Sequence, residues 1–357
     1  MDVFLTGGTG FIGQALVRNA RRRGWALRVL VRDLDAAPAR WIARQGATLV
    51  RGDVTEPGGL AEAMRGCELM IHNAGVYEIG ADAALARRMQ VVNVQGTGHV
   101  LAAAHEAGVP RNLYVSTVWA LGPSGRPPAA AEPRDENQRH DGRYLTPYEK
   151  SKALAHEEAL RWRARGLPLV IAMPNAVVGA NDHSVFGYFL RLVLLGRMAP
   201  LGWGRDAVYA PVQVQALAEG ICRAAADAPM GEDYLICGPP MALGDLFALW
   251  GRLSGKRVPS IYLPRAVMRP QMALVEPLLR ALDLPAFMSR DAVDASRAHL
   301  NYSSAKAQRE LGWTHPEVEP MWREIIAQEQ ALMARRQGVR AKLRHVPVVE
   351  DAGTAAA

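Results

Sequence analysis

The stretch Thr6-Gly7-Gly8-Thr9-Gly10-Phe11-Ile12-Gly13 constrains the fold more than any other part of the chain. Val3-Phe4-Leu5 before it is a short apolar run of the kind buried in a parallel sheet. Behind it, Gln14–Ala20 reads as a helix with an apolar stripe at Ile12, Leu16, Val17 and Ala20. Strand, glycine turn and helix open a βαβ unit of the dinucleotide-binding kind. Gly7 permits the tight turn, Gly10 lets backbone approach a pyrophosphate, and Gly13 lets the helix lie close to the sheet. The helix N-terminus then offers unpaired N–H groups and partial positive charge to phosphate.

The pattern repeats down the chain. Leu27–Val31, Thr48–Arg51, Leu69–His72, Asn112–Ser116 and Leu167–Ala172 read as strands. Helices are expected over 39–45, 60–64, 84–107 and 147–165 between them. Such alternation specifies an α/β fold with a doubly wound parallel sheet of the Rossmann type. After residue 178 the rhythm loosens, although a strand at Tyr234–Cys237 and helices over 216–226 and 243–254 fit a return to the main sheet. The expected division is a nucleotide-binding domain over 1–178, rejoined near 216–254. A smaller, mostly helical substrate domain takes 179–215 and 255–335, and a poorly ordered tail 336–357. Pro123–Asp141 reads as a surface loop, and Ala273–Leu284 as an amphipathic helix serving as lid or domain interface.

Composition narrows the functional classes. A 49% hydrophobic fraction over 357 residues supplies a sizeable core, yet no apolar run is long enough to span a bilayer. The N-terminus lacks a secretory pattern. Cys67, Cys222 and Cys237 are scattered and odd in number, which points to a reducing, cytoplasmic setting without disulfides. The net charge of +7 comes without the aromatic content of a nucleic-acid binder, because only 6% of residues are aromatic. Asp182-His183 lacks the further spacing of a metal site, so no metal is expected.

Chemistry enters at Tyr148-Glu149-Lys150-Ser151-Lys152. Residues four apart share a helix face, so Tyr148 and Lys152 project together. A nearby ammonium stabilises a phenolate and lowers the tyrosine pKa, which fits the phenol to move the proton that accompanies hydride transfer. Thr117, just past the fifth strand, lies at the carboxyl edge of the sheet, where doubly wound folds bind ligands. Alternation turns Ser116 away from that edge.

With these residues in view, the chain resembles the extended short-chain dehydrogenase/reductases of the NAD-dependent epimerase/dehydratase superfamily over about residues 2–330. The marks are Thr6–Gly13, Gly52-Asp53-Val54-Thr55, His72-Asn73-Ala74-Gly75, Asn93–Thr97, Val115-Ser116-Thr117, Tyr148 with Lys152, Pro174–Gly179 and Leu311-Gly312-Trp313. The resemblance implies Tyr148 as general acid/base, Lys152 as the group that lowers its pKa and binds the nicotinamide ribose, and Thr117 as the group that polarises the substrate oxygen. It also implies cofactor contacts from Gly7, Thr9, Gly10, Phe11, Ile12, Gly13, Asp53, Val54, Ala74, Gly75, Asn93, Pro174 and Val177. Each has a plainer alternative: Asp53 suits a turn, Asn93 a backbone partner, and His72 a packed strand end. The stretch Val214–Ala218 lacks the acidic residue common in this family. A homodimer through the helices at 84–107 and 147–165 is implied by the resemblance alone.

Arg32 bears on the cofactor. It ends the second strand where a carboxylate would bind a ribose 2′-hydroxyl, and a guanidinium there accommodates a 2′-phosphate. NADP is therefore expected, with NAD favoured instead if Asp33 points into the site. Within the superfamily the motifs look most like the dihydroflavonol-reductase-like branch, which implies a ketone or aldehyde reductase, or the reverse alcohol oxidation, on a small and fairly apolar molecule. The runner-up is an NAD-dependent nucleotide-sugar epimerase or dehydratase, for which Arg191, Arg197, Arg205 and Arg257 would supply diphosphate contacts. A non-catalytic NADP-binding protein is the third reading, disfavoured by retention of Thr117, Tyr148 and Lys152.

Overall fold

The computed structural model describes residues 1–123, 133–281 and 288–347. Seven strands form one all-parallel sheet: β1 (Asp2–Thr6), β2 (Ala26–Val31), β3 (Thr48–Arg51), β4 (Leu69–His72), β5 (Arg111–Val115), β6 (Leu169–Pro174) and β7 (Asp233–Ile236). Their order is β7-β6-β5-β4-β1-β2-β3. The chain thus winds outward in both directions from β1, and the crevice between the carboxyl ends of β1 and β4 is the ligand site such a reversal creates.

Alternation along the strands sorts side chains into two layers. Val3, Leu5, Val29, Ile71, Val115 and Ile236 face helices α1 (Phe11–Arg22) and α8 (Val214–Asp227). Phe4, Leu30, Met70, Tyr114, Ile171 and Leu235 face α3 (Leu60–Met64), α5 (Gly96–Glu106) and α6 (Pro147–Ala164). Burying both faces explains why these strands read as nearly continuous apolar runs.

The helix expected over 84–107 is interrupted. It consists of α4 (Ala83–Met89), a π-helical turn at Gln90–Gln95, and α5. The wider turn carries the buried Asn93. A helical period alone does not reveal such an inserted residue, and π turns are frequent at functional sites. Pro211 separates two short pairings, Val208–Tyr209 with Met241–Ala242 and Val212–Gln213 with Val177–Val178.

A smaller apolar centre joins α7 (Val185–Leu194), α9 (Leu243–Ser254) and α13 (Val318–Ala334), with Trp250 and Trp322 edge-to-face at 5.1 Å. Thus α9, assigned from sequence to the nucleotide-binding domain, packs in the smaller lobe. Conversely α12 (Ala305–Leu311), assigned to the substrate domain, packs on the main sheet layer. Helix α10 (Arg265–Ala281) packs against α11 (Arg290–Ala295) through Met268, Met272 and Val293; the end of the helix expected to reach 284 lies outside the described residues. So does part of the 123–141 loop. The tail expected to be poorly ordered carries a short helix, α14 (Val339–Leu343), and is hydrogen-bonded through Pro347, while 348–357 lie outside the described residues. Among the described residues no helix is long and apolar enough to cross a membrane.

Candidate active site

The glycine turn does what its spacing requires. Gly7 has φ 71°, and a Cβ there would lie 2.6 Å from the Ala74 nitrogen. A Cβ on Gly13 would lie 2.0 Å from the Gly7 carbonyl oxygen, so helix and turn touch backbone to backbone. Gly10 caps α1 without any side-chain hydrogen bond, and a Cβ there would meet nothing closer than the Gly7 oxygen at 3.5 Å. The first N–H groups of α1 are thereby left to a ligand, in open space, as a dinucleotide pyrophosphate needs.

A cavity of about 670 Å³ runs from this turn along the carboxyl edge of the sheet. Gly7, Thr9, Gly10, Phe11, Ile12, Arg32, Asp53, Val54, Ala74, Gly75, Thr117, Tyr148, Lys152, Pro174 and Val177 all line it. Gly13 and Asn93 stand behind the lining. Asn93 acts through its neighbours: its Oδ1 accepts from the Val76 N–H at 2.7 Å, and its Nδ2 donates to the Val76 carbonyl (3.0 Å) and to Ser151 Oγ (2.9 Å). It therefore ties the 75–77 loop to α6 beside Tyr148. The loop in turn sets the Tyr77 ring edge-on to Tyr148, with centroids 4.8 Å apart.

At the reacting end, Tyr148 is hydrogen-bonded to Thr117, which is itself buried. Burial pushes the Tyr148 phenol well above the usual tyrosine range, neighbouring Tyr114 adds to this, and the Thr117 hydrogen bond pulls back. Lys152 has other partners than the i,i+4 spacing suggested. Its Nζ donates to Tyr114 Oη at 3.1 Å and to the Val115 carbonyl at 3.3 Å. The long side chain thus reaches the end of β5 and still lines the cavity. Ser116 also lines the cavity, but its Oγ meets His156 Nδ1 of α6 at 3.1 Å.

At the far end Arg32 is exposed and lines the cavity, whereas Asp33 does not line it and accepts the Asp35 N–H at 2.9 Å. Arg28, on the same strand face as Arg32, donates instead to the Ala63 and Arg65 carbonyls at the end of α3. Asp53 lines the cavity and also receives the Thr55 N–H and hydroxyl, both at 2.9 Å, so the turn and the ligand readings describe the same side chain. Asp182 accepts from Ser184 and from the Gly187 N–H around the start of α7.

His72 is a structural link. Its ring nitrogens meet Thr6 Oγ1 at 2.7 Å and Thr97 Oγ1 at 3.0 Å, and its ring stacks on Tyr114. Thr6 Oγ1 also receives the Ala74 N–H, so the histidine supports the cofactor edge from below. Burial, reinforced by the Lys152 charge, lowers the His72 pKa to about 3. The folded chain thus refuses a proton that the unfolded chain takes up near pH 6.5. The resulting stability is full above that pH and drains as the pH falls. Between pH 7.5 and 5.0 the wild-type chain should lose about 2 kcal/mol more than His72→Gln, read by urea unfolding at both pH values. Parallel losses would place the acid sensitivity elsewhere.

The other half of the cavity carries no sequence motif. Tyr77, Ile79, Trp119, Phe186, Tyr188, Phe189, Leu192, Trp203, Tyr209, Phe247 and Met288 wall it. They come from loops and helices far apart in sequence, so only the fold collects them. Of the four arginines considered for a diphosphate, Arg197 alone lines this cavity. Arg191 is buried against Glu329, Arg205 stacks over Tyr262, and Arg257 lies outside the lining.

The chain is similar to known proteins in both sequence and fold. The family model described as the NAD dependent epimerase/dehydratase family matches residues 3–237. A 4-hydroxy-2-methyl-3-oxo-4-farnesyl-3,4-dihydroquinoline-1-oxide ketoreductase of Stigmatella aurantiaca is 30% identical over 88% of this chain and 92% of its own. A dihydroflavonol 4-reductase-like protein of Synechocystis sp. is 29% identical over 87% of this chain and 89% of its own. In fold, the chain is similar to the dTDP-glucose 4,6-dehydratase DesIV of Streptomyces venezuelae, solved with NAD bound, with a TM-score of 0.74 at 22% identity over 95% of this chain and all of that one.

Proposed function

The chain belongs to the NAD-dependent epimerase/dehydratase family of extended short-chain dehydrogenases/reductases, and within it we propose an NADP(H)-dependent reductase of apolar ketones or aldehydes. That it is an NAD(P)-dependent oxidoreductase follows from the family and its ketoreductase relative. The observation that carries the narrower reading is the mainly aromatic and aliphatic wall facing Tyr148, in which Arg88 and Arg197 are the arginines besides Arg32 at the far end. A nucleotide-sugar would bring a diphosphate and many hydroxyls against that wall, most of which offers them no partner. The Stigmatella relative is named for a farnesyl-bearing, hence largely apolar, ketone.

A bound nicotinamide supplies or takes up a hydride at the substrate carbon. The chain's own residues manage the oxygen. Tyr148 Oη gives its proton to the oxygen in reduction and receives one in oxidation, and the Thr117 hydroxyl donates a hydrogen bond to the same atom. Lys152 holds the end of β5 through Tyr114 and Val115, and it lines the cavity as a ribose partner.

NADP is favoured over NAD because Arg32 lines both cavities at this end of the cleft, whereas Asp33 lines only the second and its carboxylate accepts the Asp35 N–H. Removing a guanidinium from a phosphate forfeits a charge-assisted pair, so Arg32→Asp should raise the KM for NADPH by about tenfold to a hundredfold. The KM for NADH should change by less than about threefold. Steady-state rates with both cofactors, on an apolar aryl ketone and on UDP-glucose, test the whole reading. Turnover of the sugar alone, or a preference for NADH, overturns it.

A further inference from the structure

After α13 the chain turns at Gly338, forms α14 and runs back across the cofactor cleft to Pro347. Side chains from the site's own elements hold this segment. Gln14 Nε2, in the first turn of α1, donates to the Pro347 carbonyl (2.8 Å) and to the carbonyl of Thr9 in the glycine turn (3.1 Å). The Asn181 amide pairs with both the N–H and the carbonyl of Val346, each at 2.8 Å. Arg191 Nε donates to the Leu343 carbonyl at 2.9 Å, and Arg336 bonds the Arg344 carbonyl.

The segment therefore touches the cleft at both ends. Leu343 packs with the cluster that includes Tyr77, Trp119 and Tyr188 beside the reacting end, and Pro347 lies at the glycine turn. Between them His345 sets its ring 5.6 Å from His183, which meets Phe11 edge-on at 5.9 Å. Four residues of extended chain reach about 13 Å, enough to lie along the nicotinamide-to-pyrophosphate part of a dinucleotide. A second cavity of about 690 Å³ lies under this segment. Its walls include Arg335 and His345 on one side and Thr9, Gly10, Phe11, Arg32 and Asp33 on the other.

We propose that residues 338–347 are part of the cofactor site, a strap that encloses the phosphate side of the dinucleotide and places His345 there, beside Arg335 at the end of α13. The proposal rests on the family's NAD(P) dependence and goes beyond it, because neither the glycine motif nor the matched residues 3–237 include the strap. Its consequence is slow cofactor release, since the dinucleotide leaves only when the bonds from Gln14, Asn181 and Arg191 open.

Three measurements test it. A chain ending at Gln337 should bind NADPH at least about tenfold more weakly, read from cofactor fluorescence, having lost the enclosing backbone, its hydrogen bonds to Gln14 and Asn181, and His345. Asn181→Gly, which suits the left-handed backbone at that position (φ 64°), should weaken NADPH in the same direction by about threefold or more. In the intact chain, saturating NADPH should slow tryptic cleavage at Arg340, Lys342 and Arg344 by about tenfold, a measurement that stands whether or not the shortened chain folds. Cofactor binding that is unchanged in both variants, with cleavage indifferent to NADPH, overturns the strap. An intact chain that binds neither NADPH nor NADH overturns the cofactor reading itself, and the strap with it.

Discussion

Tyr148→Phe should leave NADPH binding within about twofold of wild type while lowering kcat by about 10³-fold, the usual range for losing a general acid. The substitution removes one oxygen and leaves the ring, so the edge-on contact with Tyr77 and the packing of α6 survive. What disappears is the proton source for a developing alkoxide. Thr117, hydrogen-bonded to that phenol, remains but cannot replace it, because an aliphatic hydroxyl is a far weaker acid. Thr117→Ala should cost less, about ten- to a hundredfold, since it deletes a stabilising hydrogen bond and leaves the acid in place. Single-turnover absorbance at the nicotinamide band, with cofactor saturating, separates the chemical step from binding. A Tyr148→Phe enzyme that retained near-wild-type single-turnover rates would remove Tyr148 from the mechanism. One that lost cofactor affinity to the same extent as turnover would make the tyrosine a structural residue.

The features legible in the sequence share one property: their physical cause is local. The Thr6–Gly13 turn needs its glycines because of backbone contacts within the turn and to Ala74, and the strand before it and helix after it announce the context. Strand alternation gave Ser116 and Thr117 different partners, His156 and Tyr148, since period two is intrinsic to the chain, although both residues line the cavity. Long side chains and distant partners were less accessible. The i,i+4 spacing put Lys152 on the face of Tyr148, yet its four-carbon stem let it end on Tyr114 and Val115 instead. Arg28 shared a strand face with Arg32, yet its guanidinium found the carbonyls ending α3. The apolar wall and the strap were invisible for a stronger reason. Trp119, Phe186, Trp203 and Phe247 become one surface only after the two lobes pack. The strap has little helical or apolar pattern of its own, and its order comes from Gln14, Asn181 and Arg191, which lie 152 to 333 residues earlier in the chain.

Arg191 and Glu329 make the same point in energetic terms and carry the second large effect. Their side chains are 2% and 1% exposed and stand 3.4 Å apart, one on α7 and the other on α13. Glu329 also accepts the Asn181 N–H, and Arg191 also holds the Leu343 carbonyl. Two opposite charges taken out of water together are tolerable, but one left behind is not. Glu329→Ala should therefore cost about 3–5 kcal/mol of stability by removing the partner of a buried guanidinium. Glu329→Gln keeps the volume and an acceptor for Asn181, and should cost less because only the charge is lost. Replacing both residues by apolar ones of similar volume, Arg191→Met with Glu329→Leu, should recover most of the stability, because no unpaired charge remains. The double variant cannot hold Leu343, so it should unfold near the wild-type urea midpoint while releasing NADPH faster. Equal urea midpoints for Glu329→Ala and wild type would show that water reaches Arg191 and that the pair bears little of the lobe's stability. A double variant as fragile as Glu329→Ala would place the cost in packing between α7 and α13 and not in the stranded charge.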